Sequence, residues 1–239
     1  MTTLSRRLVA EFIGTGLLVC VVVGSGIAAQ QLSAHDVGLQ LLENSTATVF
    51  GLGILILILG PVSGAHFNPV VSVADWFSGR RLGTGLTTTE LLAYLGVQVP
   101  GGIAGAVLAN IMFDQRAVQI ATHHRVTTGH LVGEVVATAG LIAVIFALVR
   151  TGRAALASVA VAAYIGAAYW FTSSTSFANP AVTVGRIFSD SFAGIAPSSV
   201  PAFIAAQFLG AAVGFVLVGA LYPDPAPTAE HAALDVPTA

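Results

Sequence analysis

The 239-residue sequence contains no lysine, one cysteine and only 8% charged residues. Each shortage excludes something. A surface wetted on every side needs about a quarter of its residues charged, which rules out an ordinary soluble domain. A single cysteine, Cys20, permits no intramolecular disulfide framework and no thiolate cluster for a metal. With lysine absent, all nine basic residues are arginine; codon bias, with arginine taking over interfacial anchoring, accounts for this without invoking function. The net charge of −2 points to no particular partner, and no nucleic acid is expected.

What is abundant is apolar, at 55% of the chain. Six stretches approach the ~20 residues that cross a bilayer at ~1.5 Å of rise per residue: Leu8–Gln30, Thr46–Val62, Leu91–Phe113, Leu131–Val149, Ala154–Thr172 and Val200–Tyr222. They use up the chain, so residues 1–222 are expected to form one membrane domain with the lipid bilayer as its main partner. The first stretch is too long for a signal-peptide core and is kept in the mature protein. The Pro/Ala-rich tail at 223–239 reads as disordered. With the N-terminus inside, Arg6, Arg7, Arg80, Arg81, Arg150 and Arg153 fall on the cytoplasmic side against Arg116, Arg125 and Arg186 outside, so both termini are expected in the cytoplasm and the chain in the cell (inner) membrane.

Internal similarity refines the architecture. Glu11 in "AEFIGTGLLV" is matched by Glu134 in "GEVVATAGLI", Asn68-Pro69 by Asn179-Pro180, and Gln98 in "QVPGGIAG" by Gln207 in "QFLGAAVG". The glutamates lie farther apart than the other pairs, which reads as a longer loop around "QLSAHDVGLQLLEN" in the first half. Two repeats, about 8–113 and 131–222, each hold three spans. An odd number of crossings sends the second copy through the membrane in the opposite sense, so the repeats are inverted. Each Asn-Pro pair opens a segment of about ten apolar residues, half a span, which must dip in and return. Proline suits the first helical turn and asparagine the cap before it, so short helices are expected to begin at Asn68 and Asn179 and to meet near the midplane.

"SGAHFNPV", "NPAVT", the paired glutamates and the paired Q-x-x-G-x-x-x-G together resemble the aquaporin/aquaglyceroporin (major intrinsic protein) family, over about Leu8 to Tyr222. The resemblance implies an all-α integral membrane fold of six transmembrane helices plus two re-entrant half-helices, a pore in every subunit and a homotetramer. One departure is Asn-Pro-Val in the first motif where the family has Asn-Pro-Ala.

Asn68 and Asn179 present amide donors at half-helix starts, where two such donors orient a passing oxygen and interrupt a proton wire. Glu11 and Glu134 are intramembrane carboxylates that need donors; bracing the re-entrant loops is favoured over proton relay, for which only Glu90, near a membrane edge, stands by as a further ionisable group. His66 reads as a loop-fixing residue rather than a metal ligand. His123, His124 and His130 lie in an outer loop with no fourth ligand, so no metal and no other cofactor is expected. No enzyme signature is present.

In the family the residue after the second Asn-Pro-Ala is usually arginine; here it is Val182. Counting from the asparagines matches the other members of that selectivity constriction to Thr48, Ala167 and Ser176, a wide, uncharged and moderately apolar ring. Arg186, four residues after Val182, is a candidate for the outer vestibule or an interfacial arginine facing water. The expected function is a passive channel for small uncharged solutes; "YWFTSSTSFANPAVT" resembles a bacterial subgroup associated with arsenic resistance, which adds arsenite and methylated trivalent arsenicals to glycerol and water as candidates. The rival is an ion- or proton-coupled secondary transporter, since such folds also use inverted repeats. A membrane scaffold with a closed pore is a third reading.

Overall fold

The computed structural model describes residues 3–222, with Arg81 and Leu82 described by their backbone alone. The tail at 223–239 lies outside the described residues. Among those described there are eight α-helices and no strand: α1 (Leu4–Leu32), α2 (Val37–Ser63), α3 (Pro69–Leu82), α4 (Thr88–Met112), α5 (Thr128–Arg150), α6 (Ala157–Phe171), α7 (Pro180–Gly185) and α8 (Val200–Leu221). Six helices are long and apolar enough to span a membrane, α6 together with its leading 3₁₀ turn Ala154–Leu156. The outward-facing Phe50, Val159 and Val216 are exposed, as side chains turned to lipid rather than water are.

Local chemistry places the helix starts. The Asp36 carboxylate accepts from the Leu39 N–H at 2.9 Å to open α2. Thr87 and Glu90 form a reciprocal capping box on α4, and Thr127 caps α5 by accepting from the His130 N–H at 3.1 Å. Two expectations need correction here. The stretch read as a long loop is mostly helix, since α2 begins at Val37, well before the apolar run at Thr46. Two of its polar residues point inward and are satisfied: Gln40 donates to the Ser33 carbonyl at 2.9 Å and Asn44 to the Val22 carbonyl at 2.8 Å. The two half-helices are also unequal. α3 runs 14 residues to a left-handed Gly83, whereas α7 stops after six and continues as the 3₁₀ turn Arg186–Phe188.

The repeats are visible in the packing. α1 lies chiefly against α4, and α5 chiefly against α8. In both pairs a Q-x-x-G-x-x-x-G helix brings its glycines onto its partner's backbone. A Cβ on Gly105 would sit 1.9 Å from the Gly16 carbonyl oxygen, and one on Gly214 would sit 2.3 Å from that of Ala139. Close approach of this kind drives helix association where lipid is as apolar as the side chains. Gly105→Ala is therefore expected to force α1 and α4 apart and cost about 2 kcal/mol or more, the upper range of overpacking. Thermal unfolding in detergent checks this against Gly96→Ala, whose new methyl meets nothing within 4 Å and which is expected to leave stability unchanged.

Candidate functional site

Both half-helices are preceded by irregular backbone that is partly left-handed. Four, three and one residues before each asparagine, φ is positive: +87° at Gly64 and +61° at Thr175, +50° at Ala65 and +51° at Ser176, +49° at Phe67 and +46° at Ala178. Five of these six residues carry a Cβ, and each pays roughly 1 kcal/mol or more for a left-handed conformation. Such backbone cannot satisfy its own polar groups, so something else must.

The buried glutamates do so. Glu11 accepts from the His66 and Phe67 N–H groups at 3.0 and 2.7 Å, from Gln98 Nε2 at 2.8 Å and from Ser63 Oγ at 2.6 Å. Glu134 accepts from the Phe177 and Ala178 N–H groups at 2.8 and 3.0 Å and from Gln207 Nε2 at 2.7 Å. Each glutamine also donates onto the half-helix, Gln98 to Ser72 Oγ at 3.0 Å and Gln207 to Thr183 Oγ1 at 2.8 Å. The glutamines, which the sequence offered only as markers of duplication, thus tie each glutamate to its half-helix. His66 joins the first brace: its Nδ1 lies 3.1 Å from Ser72 Oγ and its ring packs edge-on against Tyr94. Two further carboxylates lie near span ends: Glu90 is ion-paired with Arg7 and held in the capping box, and Glu43 on α2 accepts from Ser33 Oγ at 2.7 Å.

Asn68 and Asn179 cap their helices by accepting from the Val70 N–H at 3.0 Å and from the Ala181 and Val182 N–H groups at 2.9 and 3.2 Å. Their amide nitrogens also reach across. Asn68 Nδ2 donates to the Ala178 carbonyl and Asn179 Nδ2 to the Phe67 carbonyl, both at 2.8 Å. One proton of each NH₂ therefore locks the two loops together, leaving one on each for another acceptor.

An elongated cavity of about 590 Å³ passes both asparagines. It extends from Asp75 and Ser78 on α3 to Tyr169, Val182 and Arg186. Thr48, Ser176 and Val182 border it, and so does His66; Glu11 and Glu134 do not. Ala167 does not border it either: it is exposed on the other side of α6. Val161, Ile165 and Tyr169, spaced four apart, form the face of α6 that lines the cavity. Counting from an asparagine across irregular backbone loses helical phase, whereas the i, i+4 pattern along α6 would have kept it. Tyr169 supplies the group that Ala167 lacks, a hydroxyl 3.2 Å from Thr48 Oγ1.

Arg186 is 2% exposed rather than interfacial. Its guanidinium carbon stands 3.4 Å from the centroid of the Phe177 ring and its Nε donates to the Ala193 carbonyl. Arg125, from the α4–α5 connection, approaches the same ring at 5.3 Å and donates to the carbonyls on either side, Nη2 to Phe192 at 2.8 Å and Nε to Gly194 at 2.7 Å. Burial pushes the Arg125 guanidinium down to about 10, so it stays cationic at neutral pH. Two of the three histidines expected in an outer loop are engaged locally, His130 Nδ1 donating to the Arg125 carbonyl at 2.6 Å and His124 Nδ1 lying 3.1 Å from Ser198 Oγ.

Paired half-helices locked by their asparagines, glutamate-braced loops and a cavity along them define a membrane channel, and the chain belongs to the major intrinsic protein family, which it matches over residues 1–178. It is a multi-pass channel for small solutes and not an enzyme. It is 48% identical over 215 residues to aquaglyceroporin AqpS of Rhizobium meliloti (strain 1021), covering 90% of this chain and 89% of that one. It is 29% identical over 135 residues to the propanediol uptake facilitator PduF of Citrobacter freundii, covering 54% and 45%. The fold is shared with the X-ray structure of the aquaglyceroporin from Plasmodium falciparum at a TM-score of 0.64, across 92% of this chain and 97% of that one, at 20% identity.

Proposed function

We propose that residues 1–222 form a single channel domain that conducts small uncharged solutes larger than water down their gradients. Candidate solutes are glycerol, arsenite and methylated trivalent arsenicals, with water passing as well. In this reading each subunit of a homotetramer in the cell membrane has its own pore, and both termini are cytoplasmic. Asn68 and Asn179 orient solute oxygens at the midplane, while Thr48, Ser176, Val182 and Tyr169 form the selectivity constriction.

The observation that carries this reading is the separation of the two buried mid-span carboxylates, Glu11 and Glu134, from the passage. Glu11 and Glu134 have both oxygens held by backbone and glutamine donors and stand outside the cavity. A carboxylate so occupied has no free lone pair facing a solute and no route for handing on a proton, as coupled transport requires. The aquaglyceroporin name of the 48%-identical relative supports a solute larger than water, and the propanediol uptake facilitator supports a small diol or triol.

The test is initial uptake of water, glycerol, urea and arsenite into proteoliposomes. Flux is expected to rise linearly with solute concentration and to ignore imposed proton or sodium gradients. Stimulation by either gradient would overturn the channel reading in favour of coupled transport, and flux no faster than in empty vesicles for every solute would favour a closed scaffold.

A further inference from the structure

Val182 and Arg186 lie one helical turn apart, about 6 Å of axial rise. Val182 presents an apolar side chain to the cavity, and Arg186 borders the same cavity beyond it. Stacking on Phe177 and the bond from Nε to the Ala193 carbonyl fix the plane of the guanidinium. Its two terminal nitrogens have no hydrogen-bond partner in the protein and are not among the sealed-off buried atoms. No carboxylate pairs with it: the one ion pair among the described residues is Arg7 with Glu90, and Glu134 is taken up by loop N–H groups and Gln207. Two free, charged donors thus border the cavity in a fixed orientation.

Leu52, Ile165 and Val182 give the cavity an apolar lining alongside these donors.

We propose that Arg186 is the specificity-determining cation of this passage, set one turn beyond Val182. It selects solutes that carry acceptor oxygens on one edge and an apolar surface on the other. The inference rests on the channel reading above and adds the residue that chooses the solute. A polyol or urea leaving water exchanges its hydrogen bonds for charge-assisted ones from the terminal nitrogens, while its carbon side meets the apolar lining. Water needs no such exchange, because it is small enough to keep some of its neighbours. Val182, being short, leaves room for the solute to reach Arg186. Arg125 is a positioning residue, since it clamps the carbonyls flanking the one that anchors Arg186.

The experiment compares glycerol, urea and water permeation through the full-length protein and its variants in liposomes, at matched protein content. Arg186→Gln is expected to slow glycerol and urea about tenfold, the size of one charge-assisted hydrogen bond, and to hold water within about twofold. Arg186→Lys keeps the charge without the fork and is expected to recover only part of the loss. Arg125→Gln loosens the same segment without removing a donor from the cavity, so any loss it causes is expected to be smaller and to fall on water and glycerol alike. The proposal is overturned if Arg186→Gln lowers all three fluxes by one common factor, which is loop collapse, or if it leaves glycerol flux unchanged. The unsubstituted protein decides the channel reading separately, through its indifference to ion gradients, so the two ideas fail on different measurements.

Discussion

Glu134→Ala is expected to abolish most of the folded, conducting population. The substitution strands the Phe177 and Ala178 N–H groups and Gln207 Nε2, three donors that bond Glu134 at 3.0 Å or less. At this depth water cannot replace the lost oxygens, and the left-handed residues Thr175, Ser176 and Ala178 lose the brace that holds their strain. Each buried donor left without its acceptor costs roughly 1–3 kcal/mol, and three together are a large part of a membrane domain's stability. Thermal unfolding in detergent and liposome flux should therefore fall together. Glu134→Gln keeps one acceptor oxygen and is expected to fall between the parent and the alanine variant. A Glu134→Ala protein that is as stable as the parent, but whose transport has lost a pH dependence the parent shows, would instead identify the carboxylate as a proton relay.

The second large effect is expected from Val182→Arg. The Val182 N–H already donates to Asn179 Oδ1, so the backbone is unaffected and the change falls on the cavity wall. A long cation there meets Arg186 one turn away on the same face, and like charges at that spacing repel. The new side chain therefore has to extend across the passage towards Thr48 and Tyr169, whose hydroxyls lie 3.2 Å apart. Glycerol and methylated trivalent arsenicals are expected to slow about ten- to a hundredfold, while water remains measurable, because steric exclusion acts first on the bulkiest solute. Val182→Ala is expected to change these fluxes little. Equal loss for every solute at normal membrane abundance would mean a collapsed passage, and unchanged glycerol flux would place Val182 outside the limiting section.

The sequence by itself determined the membrane class, the duplication and the two half-helices. Hydropathy over ~20 residues is dictated by bilayer thickness, and an Asn-Pro helix start is a local matter of capping and a fixed φ. Glu11 and Glu134 were legible as residues in need of donors, because an ionised group in hydrocarbon must be paired whatever the fold around it. The tertiary structure decided what depended on distant partners. The left-handed run before each asparagine is held by a glutamate and a glutamine from two other helices, so no local propensity reports it. The start of α2 was hidden because Gln40 and Asn44 lower the hydropathy there while bonding to carbonyls of the first helix and its end. Tyr169 rather than Ala167 faces the cavity because helical phase is set by packing, not by counting across an irregular loop. Arg186 lay one turn from Val182 on any reading. Its burial against Phe177, and the loop carbonyl that holds it there, arise only when segments 122–126 and 192–195 close over α7.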